Sequence, residues 1–266
     1  MNVRVENLAF AFGRGKKVLD GLSFEAKDGE ITAIVGANGV GKTTLVRAIM
    51  GFLEPGGEVW LGGRNRRDIP FSEIARKVGY LTQESAVQAA LTVFEVILLG
   101  RLGHLGLKVD PAELDRVWDI MRTLKIDKLA DKYYNELSGG QRRVVNIAQT
   151  VVKGPEVLIL DEPTANLDMQ NEIEMLELIR SYTRAKGIAT LVILHDLTMA
   201  CRYADRIVIL KDGKVFKSGS PLEVVSVENV RDAYGVNVKL LMADAEKPLL
   251  HIVSSVRDTN YRFDRK

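Results

Sequence analysis

Gly36-Ala37-Asn38-Gly39-Val40-Gly41-Lys42-Thr43 sets three glycines, a lysine and a hydroxyl at the spacing G-x-x-x-x-G-K-[ST]. Glycines let backbone N–H groups curl around phosphate oxygens. A helix beginning at the lysine brings its positive end to the same place. Lys42 can then neutralise charge on β- and γ-phosphates, and the Thr43 hydroxyl can bind Mg²⁺. The run predicts a nucleotide site built from Gly36, Asn38, Gly39, Gly41, Lys42, Thr43 and Thr44.

Two further runs carry chemistry. Asp161-Glu162-Pro163 closes the apolar run Val157–Leu160. Ligands of open parallel sheets sit at the C-terminal ends of strands. Asp161 is therefore placed to hold Mg²⁺, and Glu162, further out, to polarise an attacking water. Leu137-Ser138-Gly139-Gly140-Gln141 suits a helix start, with Ser138 as cap and Gln141 completing a capping box. Gly139 and Gly140 leave that first turn bare for a phosphate to approach.

These groups need elements to position them. Ile31–Val35 reads as a buried strand ahead of the phosphate loop. A helix from Lys42 to Ile49 follows, with Gly51 as its stop. Before it, Val3, Val5 and Leu8 with turns at Gly13-Arg14-Gly15 and Asp28-Gly29 predict short strands. Ala86 to Val152 reads as mostly helical. Within it Asp110-Pro111-Ala112-Glu113 starts a helix whose Leu114, Val117, Trp118 and Met121 share one face, Trp118 as a core residue. Strand and helix then alternate. Val157–Leu160 is a strand, Ile173, Leu176 and Ile179 line a helix ended by Gly187, and Ala189–Leu194 is a strand. Asp212-Gly213 turns a hairpin between Ile207–Leu210 and Val215-Phe216. The tail after Pro221 predicts a small helix and a strand pair.

The bulk numbers narrow the class. The chain has 266 residues, 46% hydrophobic and 27% charged, as in a globular α/β protein. Its net charge of +2 gives no electrostatic reason for a nucleic-acid partner, and Arg64, Arg66 and Arg67 read as solvated surface. The single cysteine, Cys201, excludes an internal disulfide and reads as a buried packing residue in a reducing compartment. No apolar run approaches the ~20 residues of a membrane helix, so any membrane role comes through a partner. His104, His195 and His251 form no metal-ligand spacing.

The signature run and the phosphate loop together resemble the ATP-binding subunits of ABC transporters, over nearly the whole chain. The other family motifs follow in order. Gln83, in Val78-Gly79-Tyr80-Leu81-Thr82-Gln83, resembles the glutamine loop, which contacts Mg²⁺ and nucleotide. Leu167-Asp168 resembles the D-loop, and His195, after Ala189–Leu194, resembles the switch histidine. Phe12 falls where the family stacks an aromatic on adenine, with Phe10 as the alternative. The resemblance implies an α/β fold: a P-loop, RecA-like core (1–85 and 153–220) with an N-terminal antiparallel β subdomain, an inserted α-helical subdomain (86–152) and a small extension (221–266). It implies ATP and Mg²⁺, with Glu162 and His195 catalytic. It also implies a head-to-tail homodimer in which Gly36–Thr44 of one copy faces Ser138–Gln141 of the other. A multi-span permease and, indirectly, an external binding protein complete the assembly, with this subunit cytoplasmic on the inner face of the membrane.

A finer resemblance is to importers of iron–siderophore, haem and cobalamin. It rests on Leu91-Thr92-Val93 through Gly100-Arg101, on Leu194-His195-Asp196-Leu197 with Arg202–Arg206, and on Tyr234-Gly235-Val236. The chain departs from that group at Arg142-Arg143-Val144, Leu102–Gly106 and Ser85–Ala90, all expected near the docked permease. Exporters, importers of other cargo such as zinc or manganese, and ABC ATPases that work without a permease are the rival classes. The single ATPase unit argues against the ribosomal type, and the lack of a heptad run against the DNA-repair type. Leu91–Arg101 argues against the iron–sulfur assembly type.

Overall fold

The computed structural model describes residues 1–13, 15–82, 90–104, 109–244 and 247–256. Gln83, like Arg14 and most of Ser85–Ala90, lies outside the described residues, as do Leu105 and Gly106.

The chain opens with β1 (Val3–Ala11) and β2 (Lys17–Ala26), an antiparallel pair, followed by β3 (Ile31–Gly36) and α1 (Lys42–Met50). Next come β4 (Gly56–Leu61), β5 (Arg64–Asn65), α2 (Phe71–Lys77) and β6 (Val78–Leu81). Three helices follow: α3 (Val93–Leu99), α4 (Pro111–Thr123) and α5 (Gly139–Val151). Alternation resumes with β7 (Val157–Asp161), α6 (Met169–Lys186), β8 (Ala189–Ile193) and α7 (Leu197–Tyr203), then β9 (Arg206–Lys211) and β10 (Lys214–Gly219). Two short helices, α8 (Pro221–Val224) and α9 (Val227–Tyr234), lead to the terminal hairpin β11 (Val236–Asp244) and β12 (Lys247–Ser255).

Six strands form the central sheet in the order β10-β9-β3-β8-β7-β6, all parallel except β10. A four-stranded sheet, β2-β1-β4-β5, is antiparallel. Strands buried on both faces must be apolar throughout, and β3, β7 and β8 are buried at every position. Their side chains alternate between two cores. Ile34, Ile159 and Ile193 join the small sheet and α1. Ala33, Val35, Leu158, Leu160 and Val192 join α5, α6 and α7. Each such fully buried Leu or Ile contributes ~1.5–3 kcal/mol of hydrophobic free energy. Cys201 packs in the second core, as its sequence context predicts.

The helical piece has a third core, centred on Val96, Ile97, Val117, Met121, Val145 and Ala148. Asp110 caps α4 through the Ala112 N–H at 2.9 Å, with Pro111 at the first position, as the sequence predicts. Trp118 departs from the prediction. It is 36% exposed and tilts against Phe94 at the rim, because the buried stripe of α4 centres on Val117 and Met121. Gly100 lies so close to the Gln149 carbonyl that a Cβ would sit 2.1 Å from it. Arg101, next to it, is buried in a forked pair with Glu113 that joins α3 to α4.

In the basic cluster Arg64 and Arg67 are exposed, as expected of solvated surface, and Arg66 departs from that reading. Arg66 is buried, its guanidinium against Gly51 and paired with Glu54 at 3.2 Å. Arg67 stays exposed but donates to the Pro55 carbonyl at 2.7 Å. Both tie the antiparallel sheet to the segment after α1. Asp212 and Gly213, at φ +48° and +73°, make the predicted β9–β10 turn.

Candidate active site

Three adjacent parallel strands, β3, β8 and β7, end side by side. Ile193 of β8 pairs with both Ile34 and Asp161. The phosphate loop follows β3, His195 follows β8, and Asp161-Glu162 closes β7. Strand order therefore puts the histidine between the loop and the carboxylates, though 33 residues separate Glu162 from His195 in the chain. The shared cleft, of about 510 Å³, is lined by Phe12, Val18, Asn38, Gly39, Gly41, Lys42, Thr43, Thr44, Glu162 and His195.

Two glycines make the loop possible. A Cβ on Gly36, at φ +146°, would lie 2.4 Å from the Leu210 carbonyl oxygen. One on Gly41, at φ +106°, would lie 2.9 Å from Leu19. Gly41 is also the N-cap of α1, where no side chain caps the helix and the first turn holds no acid. That N-terminus faces the cleft, and its first turn carries no acid of its own to offset the dipole.

Lys42 is buried, and its ammonium donates to the carbonyls of Gly36 at 2.8 Å and Ala37 at 3.1 Å. Burial pulls its pKa down, and the charges of Glu162 and Asp161 pull it back up. Asp161 is 1% exposed. Burial raises its carboxyl pKa, while the Thr43 hydroxyl, 3.5 Å away, and the cations Lys42 and Arg47 lower it. A hydroxyl and a carboxylate side by side are the hard oxygen donors that Mg²⁺ prefers.

Glu162 holds a left-handed backbone, φ +53°, just before Pro163. Its Oε1 lies 2.6 Å from His195 Nε2. His195 is half exposed and Glu162 nearly buried, so the pair spans the cleft wall from solvent to interior. Phe12 is 58% exposed on the rim, edge-on to Phe10 with ring centroids 5.0 Å apart. Phe10 instead packs into the core of the small sheet. Of the two, Phe12 is the one that lines the cleft.

The signature turn lies elsewhere. Ser138 caps α5 in the predicted capping box: its hydroxyl accepts from the Gln141 N–H at 3.3 Å, and its N–H donates to Gln141 Oε1 at 3.1 Å. Ser138, Gly139, Gly140 and Gln141 do not line the cleft, and all but Gly140 are exposed. Asp168 caps α6, accepting from the Asn171 N–H at 2.9 Å, and these bonds hold its carboxyl below the usual range. One chain thus carries two separate chemistry-bearing surfaces.

Two residues escaped the sequence reading. Val18 of β2 forms the cleft wall beside Phe12. Arg143, expected near a docked permease, turns inward, 8% exposed, and reaches the carbonyls of Glu162 and Pro163. Helical spacing held the signal: Arg143 shares a stripe with Ile147, Thr150 and Val151, all buried.

An ABC transporter domain model matches residues 19–165, more than half of the chain. The chain belongs to the ABC transporter family. Among its relatives is the ferric enterobactin transport ATP-binding protein FepC of Escherichia coli, 36% identical over 242 residues, covering 90% of this chain and 89% of that one. Another is the hemin import ATP-binding protein HmuV of Plesiomonas shigelloides, 33% identical over 267 residues, covering 93% and 100%. The fold also matches a metal-chelate type ABC transporter in an inward-facing conformation, with a TM-score of 0.82 over 95% of this chain and 96% of that one, at 24% identity. This ABC protein is an ATP hydrolase, and the expected P-loop α/β fold with antiparallel and helical parts is the one found. Among the described residues, no helix is long and apolar enough to cross a membrane.

Proposed function

We propose that this ABC ATPase powers import of a metal chelate (an iron chelate, haem or cobalamin) as the cytoplasmic subunit on a multi-span permease. Relatives named for ferric enterobactin and hemin support that cargo class. A relative named for phosphonates import, 34% identical over 229 residues, makes another cargo the second reading. An external binding protein would deliver the cargo. Residues 1–85 and 153–220 form the nucleotide-binding core, 86–152 the signature-bearing helical part and 221–266 the extension.

The observation that carries the mechanism is the split between the cleft and the signature turn. Lys42, Thr43, Glu162 and His195 line one cleft, with Asp161 buried behind Thr43, while Ser138–Gln141 lies outside it. A head-to-tail dimer joins the halves, so that α5 of one copy aims its N–H groups and dipole at ATP held by the other. Gly36–Thr44 cradles the phosphates, Phe12 stacks on adenine and Asp168 shapes the dimer seam. Glu162 takes a proton from the attacking water, and His195 orients the γ-phosphate. Thr43, Asp161 and Gln83 would hold Mg²⁺, whose chemistry is to neutralise charge on the β- and γ-phosphates.

Glu162→Gln tests the mechanism. The amide cannot take the proton, so turnover falls ~100-fold or more. ATP binding persists and a stable ATP-dependent dimer appears in light scattering. Normal turnover in that variant would remove Glu162 from the role. Cargo is tested by solubilising native membranes in mild detergent and identifying what co-purifies. A permease with many spans supports the reading, and recovery without any membrane partner overturns it.

A further inference from the structure

Arg143 sits on α5 two residues after Gln141, less than one turn from the signature. Its guanidinium is buried. Nε donates to the Pro163 carbonyl at 2.9 Å and Nη2 to the Glu162 carbonyl at 2.5 Å. The Glu162 carbonyl also accepts from the Ala165 N–H at 3.2 Å. A left-handed φ on a residue with a side chain is unfavourable, and it persists only where the surroundings fix it. Charge-assisted donors on this peptide and the next are such a fixture.

The same loop is tied to α5 at its other end. Gly140 abuts the Asn171 side chain so closely that a Cβ would lie 3.1 Å from it. Asn171 Nδ2 donates to Asp168 Oδ2 at 2.7 Å. The segment from Glu162 to Asp168 is thus bonded to the signature helix at its start, through Arg143, and packs against it at its end, where Asn171 meets Gly140.

We propose that Arg143 is a positioning residue that sets the Glu162 carboxylate for catalysis and couples it to whatever binds the signature turn of the same chain. The inference rests on Glu162 being the general base. ATP held by the partner copy would press on Ser138–Gln141, shift the start of α5, and move the Arg143 guanidinium against the Glu162 peptide. Each chain would then ready its own base according to its neighbour's nucleotide. Arg143 touches no reacting atom in this scheme.

Arg143→Met tests it. A misplaced base costs about 10- to 100-fold in kcat, with KM for ATP and the thermal midpoint near wild type. Arg143→Lys, which keeps a buried cation able to reach one carbonyl, should fall no more than about fivefold, by that same sensitivity to geometry. A purely structural role would lower ATP affinity and thermal midpoint together with kcat, and that outcome overturns the proposal. Wild-type kcat in Arg143→Met overturns it as well. If the methionine variant does not fold, Arg143→Gln takes its place with the same readings. Glu162→Gln separates the two ideas. If that variant turns over normally, the base assignment itself fails. If it is inactive while Arg143→Met is fully active, only the role of Arg143 fails.

Discussion

The phosphate cleft is walled and the signature turn is bare. Lys42 and Asp161 are buried, and each pushes against the other's desolvation. Ser138 and Gly139 lie in the open, with hydrogen bonds that close on their own turn. The cleft concentrates charge in a low-dielectric setting, where electrostatic stabilisation is strongest. The turn offers backbone and helix dipole at an exposed surface. Lys42, Asp161 and Glu162 are enclosed by the fold, and His195 closes the cleft toward solvent. In the proposed head-to-tail pair, the exposed turn is the part left for a second copy to meet.

Variants test that contrast, beginning with the largest effect. Lys42→Ala strips the cleft of its phosphate counter-charge. ATP binding by titration and phosphate release should both fall by at least ~100-fold. Ser138→Arg fills the signature turn instead. It should cut turnover by a similar ~100-fold while ATP affinity at low protein concentration stays within about threefold, because the cleft is untouched. Mixing these two inactive variants is more decisive. In a head-to-tail pair one composite site collects both defects and the other is whole, so a 1:1 mixture should recover about a quarter of wild-type activity. No recovery would place both surfaces in the same chain's site. Phe12→Ala should raise KM for ATP about 3- to 10-fold, the range an aromatic stacking contact commands, with kcat unchanged. The smallest effect belongs to Trp118→Ala. Its ring lies at a rim, so thermal unfolding should show a loss below ~1.5 kcal/mol, well short of a core aromatic.

Trp118 also marks where sequence reading of the fold gave out. Strands β3, β7 and β8 were legible because continuous apolar runs have one comfortable home, a covered parallel sheet. On α4 the spacing of Trp118 from Leu114 and Met121 fits a buried face, but spacing does not give the width of the stripe. Arg66 shows the converse limit. A charged residue in a basic cluster reads as solvated, and only the fold supplies Glu54 and the open space at Gly51. Within the site, the phosphate loop, Asp161-Glu162 and the capping box were legible as local motifs. Which of Phe10 and Phe12 lines the cleft was not, since that depends on which face of β1 the small sheet covers. The inward turn of Arg143 is carried by helical spacing, which places it with Ile147 and Thr150 on the buried face of α5.

The resemblance at Leu91–Arg101 takes on a different weight in the structure. Thr92 and Glu95 cap α3, Val93, Val96 and Ile97 fill the helical core, Gly100 permits the close crossing with α5, and Arg101 locks α3 to α4. Each of these residues serves the capping or packing of the helical piece. The stretch therefore speaks for the architecture of the helical piece, and the cargo reading leans on the relatives.

Cys201 is the only thiol in the chain, and it is 1% exposed on the buried face of α7. Thiol reagents therefore meet a protein that is silent while folded and reactive once α7 lifts from the sheet. The labelling rate becomes a clock on that opening. His195 lies just ahead of α7 on the same stretch of chain, so nucleotide in the cleft should slow the clock, by about the factor 1 + [ATP]/Kd. A native protein without engineered probes can thus report its own ligand occupancy through a residue that never meets the ligand.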